Sequence, residues 1–352
     1  MRKLLWFSLV LLFSVLAACS NNESKSNEAA EEPSQEEKEE PSQGEKEEPP
    51  RVYPLTGEET DEDIDQRVVS VMVNNHSQAR PQSGLSQADV VYEFLAEGQI
   101  TRFLALYQSD LPENVGPVRS ARPYFYETAE GYDALYTYHG AADFINDDIE
   151  ESGIDYADGA HYDNDRELFK RTSDRQAPHN SYLITNGLEQ LLQSKGYKME
   201  KEIEPLPFSD EADVEGTPAG QVTVTYDENE TVTYTYDEDK EQYLRESDGE
   251  PTIDAETNEQ VALENVLIVQ TSHEVIDDAG RREIDLNSGG KGYLLQKGEQ
   301  LDVEWKNTDG RILPYQNDEP VPFKPGQTWV NVVPDEPGMV SVNEKGGEAN
   351  AD

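Results

Sequence analysis

Arginines in three short polar loops are the residues of this chain whose type and spacing could do chemistry. The loops span residues 74–84, 116–123 and 171–180, and the first directly follows an apolar run. Guanidinium groups donate paired hydrogen bonds to carboxylates and phosphates, and loops that follow strands often carry binding sites. The three loops therefore predict a site for an anion.

Two arginines of the second loop, Arg119 and Arg122, lie three residues apart at the start of a predicted helix. This spacing places both side chains on one helical face if the turn is formed. A helix N-terminus would add free N–H groups and the positive end of the helix dipole. The pair is therefore the centre of the predicted anion site.

Arg102 lies in the otherwise apolar run 100–106, where we expect Glu93 or Glu97 to pair with it. In a chain this rich in carboxylates, the arginines could instead form internal ion pairs, and the sequence leaves both interpretations open. The predicted ligand-binding residues are Asn75, Arg80, Arg102, Arg119, Arg122, Arg171, His179 and Asn180.

A catalytic role would need a carboxylate and a histidine within reach of each other. The arginines would then stabilise developing negative charge, as in a hydrolase of glycan or phosphodiester bonds. The chain has no G-x-S-x-G elbow, P-loop or dinucleotide fingerprint, and Ser120 is better explained as a helix N-cap. Enzymatic activity therefore stays open, with the candidates Glu93, Glu97, His139 and His179.

Four of the five histidines lie in the predicted N-terminal domain, but their spacing does not indicate a metal site. No HExxH motif and no EF-hand order of ligands is present. We therefore predict no metal and no cofactor. The residues considered as ligands are His76, His139, His161, His179, Asp143, Asp163 and Asp165.

The first 19 residues are typical of an exported, lipid-modified protein. Arg2 and Lys3 precede an apolar run from Leu4 to Leu16, and small residues lead directly to Cys19, which is the only cysteine. This pattern resembles a bacterial lipoprotein signal. It predicts a signal peptide at 1–18 and an acyl (palmitate-type) lipid on Cys19, which would anchor the chain in the cell membrane on the extracytoplasmic side.

Charge excludes some partners. The formal net charge is −46, and such a chain repels nucleic acid, so we predict no nucleic-acid partner. Residues 20–50 have no aromatic or β-branched residue and cannot bury a core. We therefore expect residues 19–52 to be a disordered acidic tether.

The apolar patterns predict an α+β protein with two domains. Residues 53–205 read as a mixed α/β N-terminal domain and residues 206–340 as a smaller, mainly antiparallel β domain, followed by a disordered tail at 341–352. Alternating Thr with Val or Tyr predicts a hairpin from 221 to 236. The other predicted strands are 68–73, 90–95, 100–107, 134–138, 261–270, 292–296, 301–305 and 328–333, and the predicted helices are 122–132, 141–151 and 186–195.

Seven motifs of the chain resemble the YerB-like bacterial lipoproteins, and the resemblance covers residues 65–335. It implies an exported lipoprotein with two domains, the first of which is classed as being of unknown function, and it implies no reaction. The motifs are NHSQARPQSGL (75–85), ADVVYE (88–93), EGQITRF (97–103), GPVRSARPY (116–124), APHNSY (177–182), GGKGYL (289–294) and PGQTWVNVV (325–333).

Three functions are consistent with these observations. The first is binding of an anionic envelope ligand, such as a cell-wall polymer or an envelope protein, through an arginine-rich pocket. The second is the envelope hydrolase described above. The third is a non-catalytic adaptor for cell-wall proteins, which exposed Trp305 or Trp329 would favour and burial of both would weaken.

Overall fold

The computed structural model describes residues 50–210, 216–227, 230–336 and 338–343. The predicted signal peptide, Cys19 and nearly all of the predicted tether lie outside the described residues, as does most of the predicted tail. Within the described part of the chain, no helix is long and apolar enough to span a membrane.

The first part of the chain contains ten strands and three α-helices, with short 3-10 turns at Ser77–Ala79, Leu85–Gln87 and Thr185–Gly187. In chain order the elements are β1 (Arg51–Val52), β2 (Glu59–Thr60), β3 (Val69–Asn74), β4 (Val90–Leu95), β5 (Thr101–Tyr107), β6 (Asn114–Val115), α1 (Pro123–Glu130), β7 (Leu135–Tyr138), α2 (Asp143–Ser152), β8 (Tyr156–Asp158), β9 (Phe169–Arg171), β10 (Ser181–Ile184) and α3 (Leu188–Lys195).

In the second part, the regular secondary structure of the described residues consists of strands. These strands are β11 (Thr217–Pro218), β12 (Gln221–Asp227), β13 (Glu230–Asp237), β14 (Gln242–Ser247), β15 (Glu250–Pro251), β16 (Ala262–Leu263), β17 (Asn265–Thr271), β18 (His273–Val275), β19 (Arg282–Ile284), β20 (Gly290–Gln296), β21 (Glu299–Thr308), β22 (Arg311–Gln316), β23 (Glu319–Pro320), β24 (Thr328–Pro334) and β25 (Val340–Asn343).

The largest sheet has twelve strands in the order β23-β22-β21-β20-β17-β24-β4-β5-β3-β7-β8, with β11 paired to β21. Its two halves meet where β24 pairs in parallel with β4. Both strands are mainly apolar, and all their residues except Pro334 are buried, as expected for strands covered on both faces. The two predicted domains therefore contribute to one sheet, while the boundary between them stays a prediction.

A second sheet of six strands is built on the predicted hairpin. Strands β12 and β13 pair antiparallel, with Val222 opposite Tyr234, which confirms that hairpin. The alternation of Thr with Val or Tyr gives one buried and one half-buried face, because successive side chains of a strand point to opposite faces. The buried face includes Val222, Val224, Val232 and Tyr234.

The start of the first helix differs from the prediction. Helix α1 begins at Pro123, and Arg122 is its N-cap with an extended backbone and no capping side chain. Proline fixes the first helical turn and disfavours helical backbone in the residue before it. The prediction that Ser120 caps the helix is therefore wrong, and Arg119 and Arg122 do not share a helical face. The predicted ends of α2 and α3 are confirmed, since both helices stop at a left-handed glycine, Gly153 and Gly196.

The fold as a whole is mostly β-strand in several sheets, with few helices. The three α-helices of the described part are only eight to ten residues long, so the N-terminal part is richer in strands than the sequence predicted. The largest fully buried side chains include Trp305 and Trp329. Neither tryptophan is available as a contact surface.

Candidate functional site

The candidate site lies where three parallel strands end. Strand β3 pairs in parallel with β7, and β7 pairs in parallel with β8. The loops that leave their carboxyl ends begin at Asn75, His139 and Gly159. Such edges are the usual position of ligand crevices in sheets with parallel strands.

The second arginine loop crosses this edge and is held there by its backbone. The N–H of Arg119 donates to Met72 O at 2.9 Å, and the N–H of His139 donates to Arg119 O at 2.9 Å. On the other side, the N–H of Val118 donates to Ser181 O at 2.6 Å. Arg119 is thus fixed between β3, β7 and β10.

The side chain of Arg119 is half-buried, and it makes no hydrogen bond or ion pair with any other described residue. Burial, together with the nearby charge of Arg102, lowers the pKa of Arg119 to about 10. The guanidinium stays charged at neutral pH because its pKa is still well above 7. It is therefore a cation whose charge no carboxylate of the described residues balances directly.

Two neighbouring arginines share a single carboxylate. Arg102 Nη2 lies 2.6 Å from Glu97 Oε2, and Arg122 Nε lies 2.6 Å from Glu97 Oε1. Arg102 also donates to Ser120 O at 3.2 Å. Burial lowers the pKa of both arginines. The expected pairing of Arg102 with Glu97 is confirmed, and two guanidiniums share this carboxylate while Arg119 lies near Arg102.

Glu93 lies on the other face of the sheet from Arg102. In the β4–β5 register, Arg102 is opposite Phe94 and Glu93 is opposite Phe103, and alternate residues of a strand face opposite sides. The expected pairing of Glu93 with Arg102 is therefore wrong. Glu93 instead pairs with Arg245 at 2.9 Å.

The carboxylate of Glu93 is sealed inside the protein. It also accepts hydrogen bonds from Trp329 Nε1 at 3.0 Å and from Thr101 Oγ1 at 2.8 Å. Glu93 and Arg245 are both 0% exposed. A substrate cannot reach this carboxylate, so the candidate acid or base that the sequence placed here has no access to a reaction.

His179 is held as a hydrogen-bond donor by its neighbours. Asn74 Oδ1 accepts the backbone N–H of His76 at 3.0 Å, which turns Asn74 Nδ2 toward His179 Nδ1 at 2.8 Å. Because an amide nitrogen only donates, Nδ1 accepts and the ring proton is on Nε2. Burial, followed by the charges of His76, Arg119 and Arg175, lowers the pKa of His179, so the ring is neutral.

His76 stands beside His179 in the same tautomer. Its Nδ1 accepts the backbone N–H of Gln78 at 3.1 Å, which leaves the proton on Nε2. The two ring centroids are 4.6 Å apart. The sequence considered His76 only as a metal ligand, although its place in the first polar loop could have indicated this role. The charge of Arg119 thus acts on His179, and His76 lies beside the His179 ring.

His139 is also occupied at both ring nitrogens. Arg171 Nη2 lies 3.2 Å from Nε2, and Ser181 Oγ lies 2.8 Å from Nδ1. Arginine has only N–H donors, so Nε2 accepts and Nδ1–H donates to Ser181. Burial, followed by the charge of Arg171, lowers the pKa of His139. This ring cannot take a proton from Ser181, which is itself buried.

Arg171 and Asn180 stabilise the third loop. Arg171 Nη1 donates to Asn180 Oδ1 at 2.9 Å, and Arg171 Nε donates to Asp163 Oδ1 at 2.6 Å. Asn180 Nδ2 donates to Thr172 O at 3.0 Å. Both predicted ligand-binding residues have their polar atoms engaged inside the protein, so their part is to position the loop that carries His179.

Asn75 and Arg80 belong to a different network from Arg119. Arg80 Nε donates to Asn75 Oδ1 at 3.0 Å, and its guanidinium pairs with Glu230 at 3.0 Å and with Asp248. Asn75 is buried and donates to Thr101 Oγ1 at 2.7 Å. These two residues connect the first polar loop to β13 and to the turn after β14.

The structure thus divides the predicted ligand-binding residues into two groups: those that lie together in a cluster, and those that only position its loops. We use the name arginine cluster for the residues Arg102, Arg119, Arg122, Glu97, His76 and His179. The described residues hold no group of three or more carboxylates and histidines placed to bind a metal ion. Ser181 and Arg245 were missed, because their partners lie 42 and 152 residues away along the chain and no local pattern indicates them.

Comparisons with known proteins agree with the seven motifs. The family described as protein of unknown function (DUF3048) matches through its N-terminal domain at residues 55–198 and its C-terminal domain at residues 222–330. A Bacillus subtilis (strain 168) protein provisionally named as lipoprotein YerB is 46% identical over 286 residues, which cover 80% of this chain and 86% of that protein. The crystal structure of YerB protein from Bacillus subtilis matches with a TM-score of 0.78 and 44% identity, covering 83% of this chain and 99% of that chain. The chain therefore belongs to the DUF3048 family of YerB-like lipoproteins.

Proposed function

We propose that this protein is anchored through a lipid on Cys19 at the extracytoplasmic side of the cell membrane, where it binds an anionic ligand of the cell envelope at the arginine cluster. The proposal rests on the half-buried guanidinium of Arg119, which has no carboxylate partner among the described residues. The chain has 74 acidic residues against 28 basic ones, so its arginines are expected to pair with carboxylates. A half-buried guanidinium without one is unfavourable for folding, and a ligand would supply the missing charge.

The surroundings of Arg119 suit an oxyanion. The guanidinium can donate two parallel hydrogen bonds to a carboxylate or phosphate. The Nε2–H groups of His76 and His179 are further donors. In each ring, Nδ1 accepts a hydrogen bond, which places the proton on Nε2. Arg102 and Arg122 add positive charge that Glu97 balances only in part. The cluster therefore combines cations and donors, as an anion requires.

The hydrolase is less well supported than binding. Glu93 is sealed against Arg245, and Glu97 is held by two arginines. His139 and His179 both use a ring nitrogen to accept a hydrogen bond from a protein donor, so neither is poised as a general base. The adaptor loses its argument from exposed tryptophan, since Trp305 and Trp329 are fully buried.

The test is a titration of purified protein with muropeptides and with teichoic acid fragments, followed by calorimetry and thermal unfolding. We expect binding that weakens by about tenfold to a hundredfold in Arg119→Ala, since a charge-assisted hydrogen bond contributes about 1.5–3 kcal/mol. The matched control is Arg51→Ala, which removes an exposed arginine paired to an exposed Asp63. Equal binding by wild type and Arg119→Ala would contradict the proposal.

A further inference from the structure

An apolar surface adjoins the arginine cluster. Ile100, Phe144 and Ile276 are 37%, 49% and 54% exposed, and each lies on an element next to one that carries the cluster. Ile100 lies two residues before Arg102, hence on the same side of the chain as it enters β5. Phe144 lies at the start of α2, which follows His139 by a short loop. We call Ile100, Phe144 and Ile276 the apolar rim.

The hairpin β18–β19 brings Ile276 to this place. Arg282 Nε donates to Ala96 O at 3.1 Å, and its Nη2 donates to Gly98 O at 2.7 Å. These bonds fix the hairpin against the β4–β5 turn that carries Glu97 and Ile100. The surface is thus assembled from both halves of the chain.

The hairpin also reaches Phe144 and Arg122. The guanidinium of Arg281, next to Arg282, lies 5.5 Å from the centre of the Phe144 ring. Burial lowers the pKa of Arg122, and the charge of Arg281 lowers it further, so the two guanidiniums are close. Phe144 and Ile276 therefore lie beside the ion pair that Arg281 forms with Asp277 at 2.6 Å, and this pair is near Arg122.

The charge of the whole chain restricts what can occupy this surface. At a net charge of −46, a polyanionic polymer or an anionic bilayer is repelled by most of the protein. A ligand with one anionic group and an otherwise uncharged body avoids that repulsion. Its anion can pair with Arg119, while its body covers apolar side chains that are now exposed to water.

We infer that the ligand is the free carboxyl terminus of an apolar peptide segment, with its carboxylate at Arg119 and its last side chains on the apolar rim. This inference rests on the proposed function and narrows it. A terminal carboxylate is planar and matches the paired N–H groups of a guanidinium. Its two oxygens leave room for the donors of His76 and His179.

The experiment measures fluorescence anisotropy of a pentapeptide that ends in Leu-Phe, labelled at its amino terminus, with the full-length protein. The free acid is compared with the same peptide as a C-terminal amide. We expect the acid to bind about tenfold or more tightly than the amide in wild type, and this preference to disappear in Arg119→Ala. Phe144→Ser should weaken binding of the free-acid peptide by about fivefold, because an apolar contact is lost. Because Phe144 is exposed, this variant should fold normally.

Binding of inorganic phosphate separates this inference from the proposed function. We expect Phe144→Ser to leave phosphate binding unchanged, because the rim does not touch the anion. If phosphate binds through Arg119 but the acid and amide peptides bind equally, the peptide inference is wrong and the anion site stands. If a pentapeptide acid that ends in Ser-Gly binds as well as the apolar one, the rim has no role. If neither phosphate nor peptide binds, both proposals fail.

Discussion

Replacing Arg119 by methionine should make the protein more stable, because the native arginine is unfavourable for folding. Its pKa is lowered from 12.5 to about 10 by burial and by Arg102. At 1.36 kcal/mol per pKa unit, this corresponds to about 3 kcal/mol for a fully buried group. Since the side chain is only half-buried, solvent screening reduces the expected gain to about 1–2 kcal/mol. Methionine keeps the apolar stem and removes the charge.

The assay is thermal unfolding of wild type and Arg119→Met at pH 7. For a domain of this size, 1 kcal/mol raises Tm by about 2–4 °C, so we expect an increase of roughly 2–8 °C. The matched control is Arg51→Met, which removes an exposed arginine paired to the exposed Asp63 and should change Tm little, because an exposed ion pair contributes little to stability. A decrease of Tm in Arg119→Met would refute the reasoning, since it would mean that Arg119 stabilises the fold. Higher stability with lost binding is the signature of a residue kept for a ligand.

Three other predictions concern the core, the pH dependence and the anchor. Arg245→Met should cost about 3–5 kcal/mol in urea unfolding, because Glu93 would stay buried without its partner; a cost below about 1 kcal/mol would contradict this. Between pH 4.5 and 7, the free energy of unfolding of the wild type should fall by about 2–3 kcal/mol because of Glu230. In Glu230→Gln this fall should be absent. Burial raises the pKa of Glu230 to about 7, outweighing Arg80, so the folded state binds the extra proton in that window and wild-type stability falls as pH rises. Cys19→Ser should move the protein from the membrane fraction to the medium, and retention in the membrane would contradict the lipid anchor.

Local features of the fold were predictable from the sequence. The predicted strand 90–95 is β4 to the residue, and the predicted strand 100–107 is β5, which pairs antiparallel with it. The Thr alternation gave β12 and β13 for the same reason. In each case, the signal and the structure it specifies lie within a few residues of each other. The start of α1 was predicted wrongly, although Pro123 restricts the residue before it and could have indicated where the helix begins.

Pairings over long distances were not predictable in this way. Strand β24 pairs in parallel with β4. Glu93 pairs with Arg245, which is 152 residues away along the chain. Both depend on how distant strands are arranged, and neither strand carries a pattern that names its partner. The sequence likewise offered both Glu93 and Glu97 as partners of Arg102, because it could not show which of the two faces of β4 the Glu93 side chain occupies.

The candidate site was predicted in its residue types and only in part in its geometry. Three loops rich in arginine and histidine do meet in space, as their composition suggested. Asn75 and Arg80 were assigned to the same site but connect to Glu230. Whether an arginine is paired depends on carboxylates contributed by other elements, so the sequence alone could not distinguish Arg119, which has no partner among the described residues, from Arg80.

The most direct test of the central claim is the side-chain NMR resonance of Arg119 in protein labelled at arginine with ¹⁵N, during a titration with muropeptides. If the cluster is an anion site, the Arg119 Nε–H resonance shifts and saturates with ligand concentration, while that of Arg51 does not move. If the protein binds muropeptides and the Arg119 resonance stays in place, the ligand binds elsewhere and the central claim is wrong.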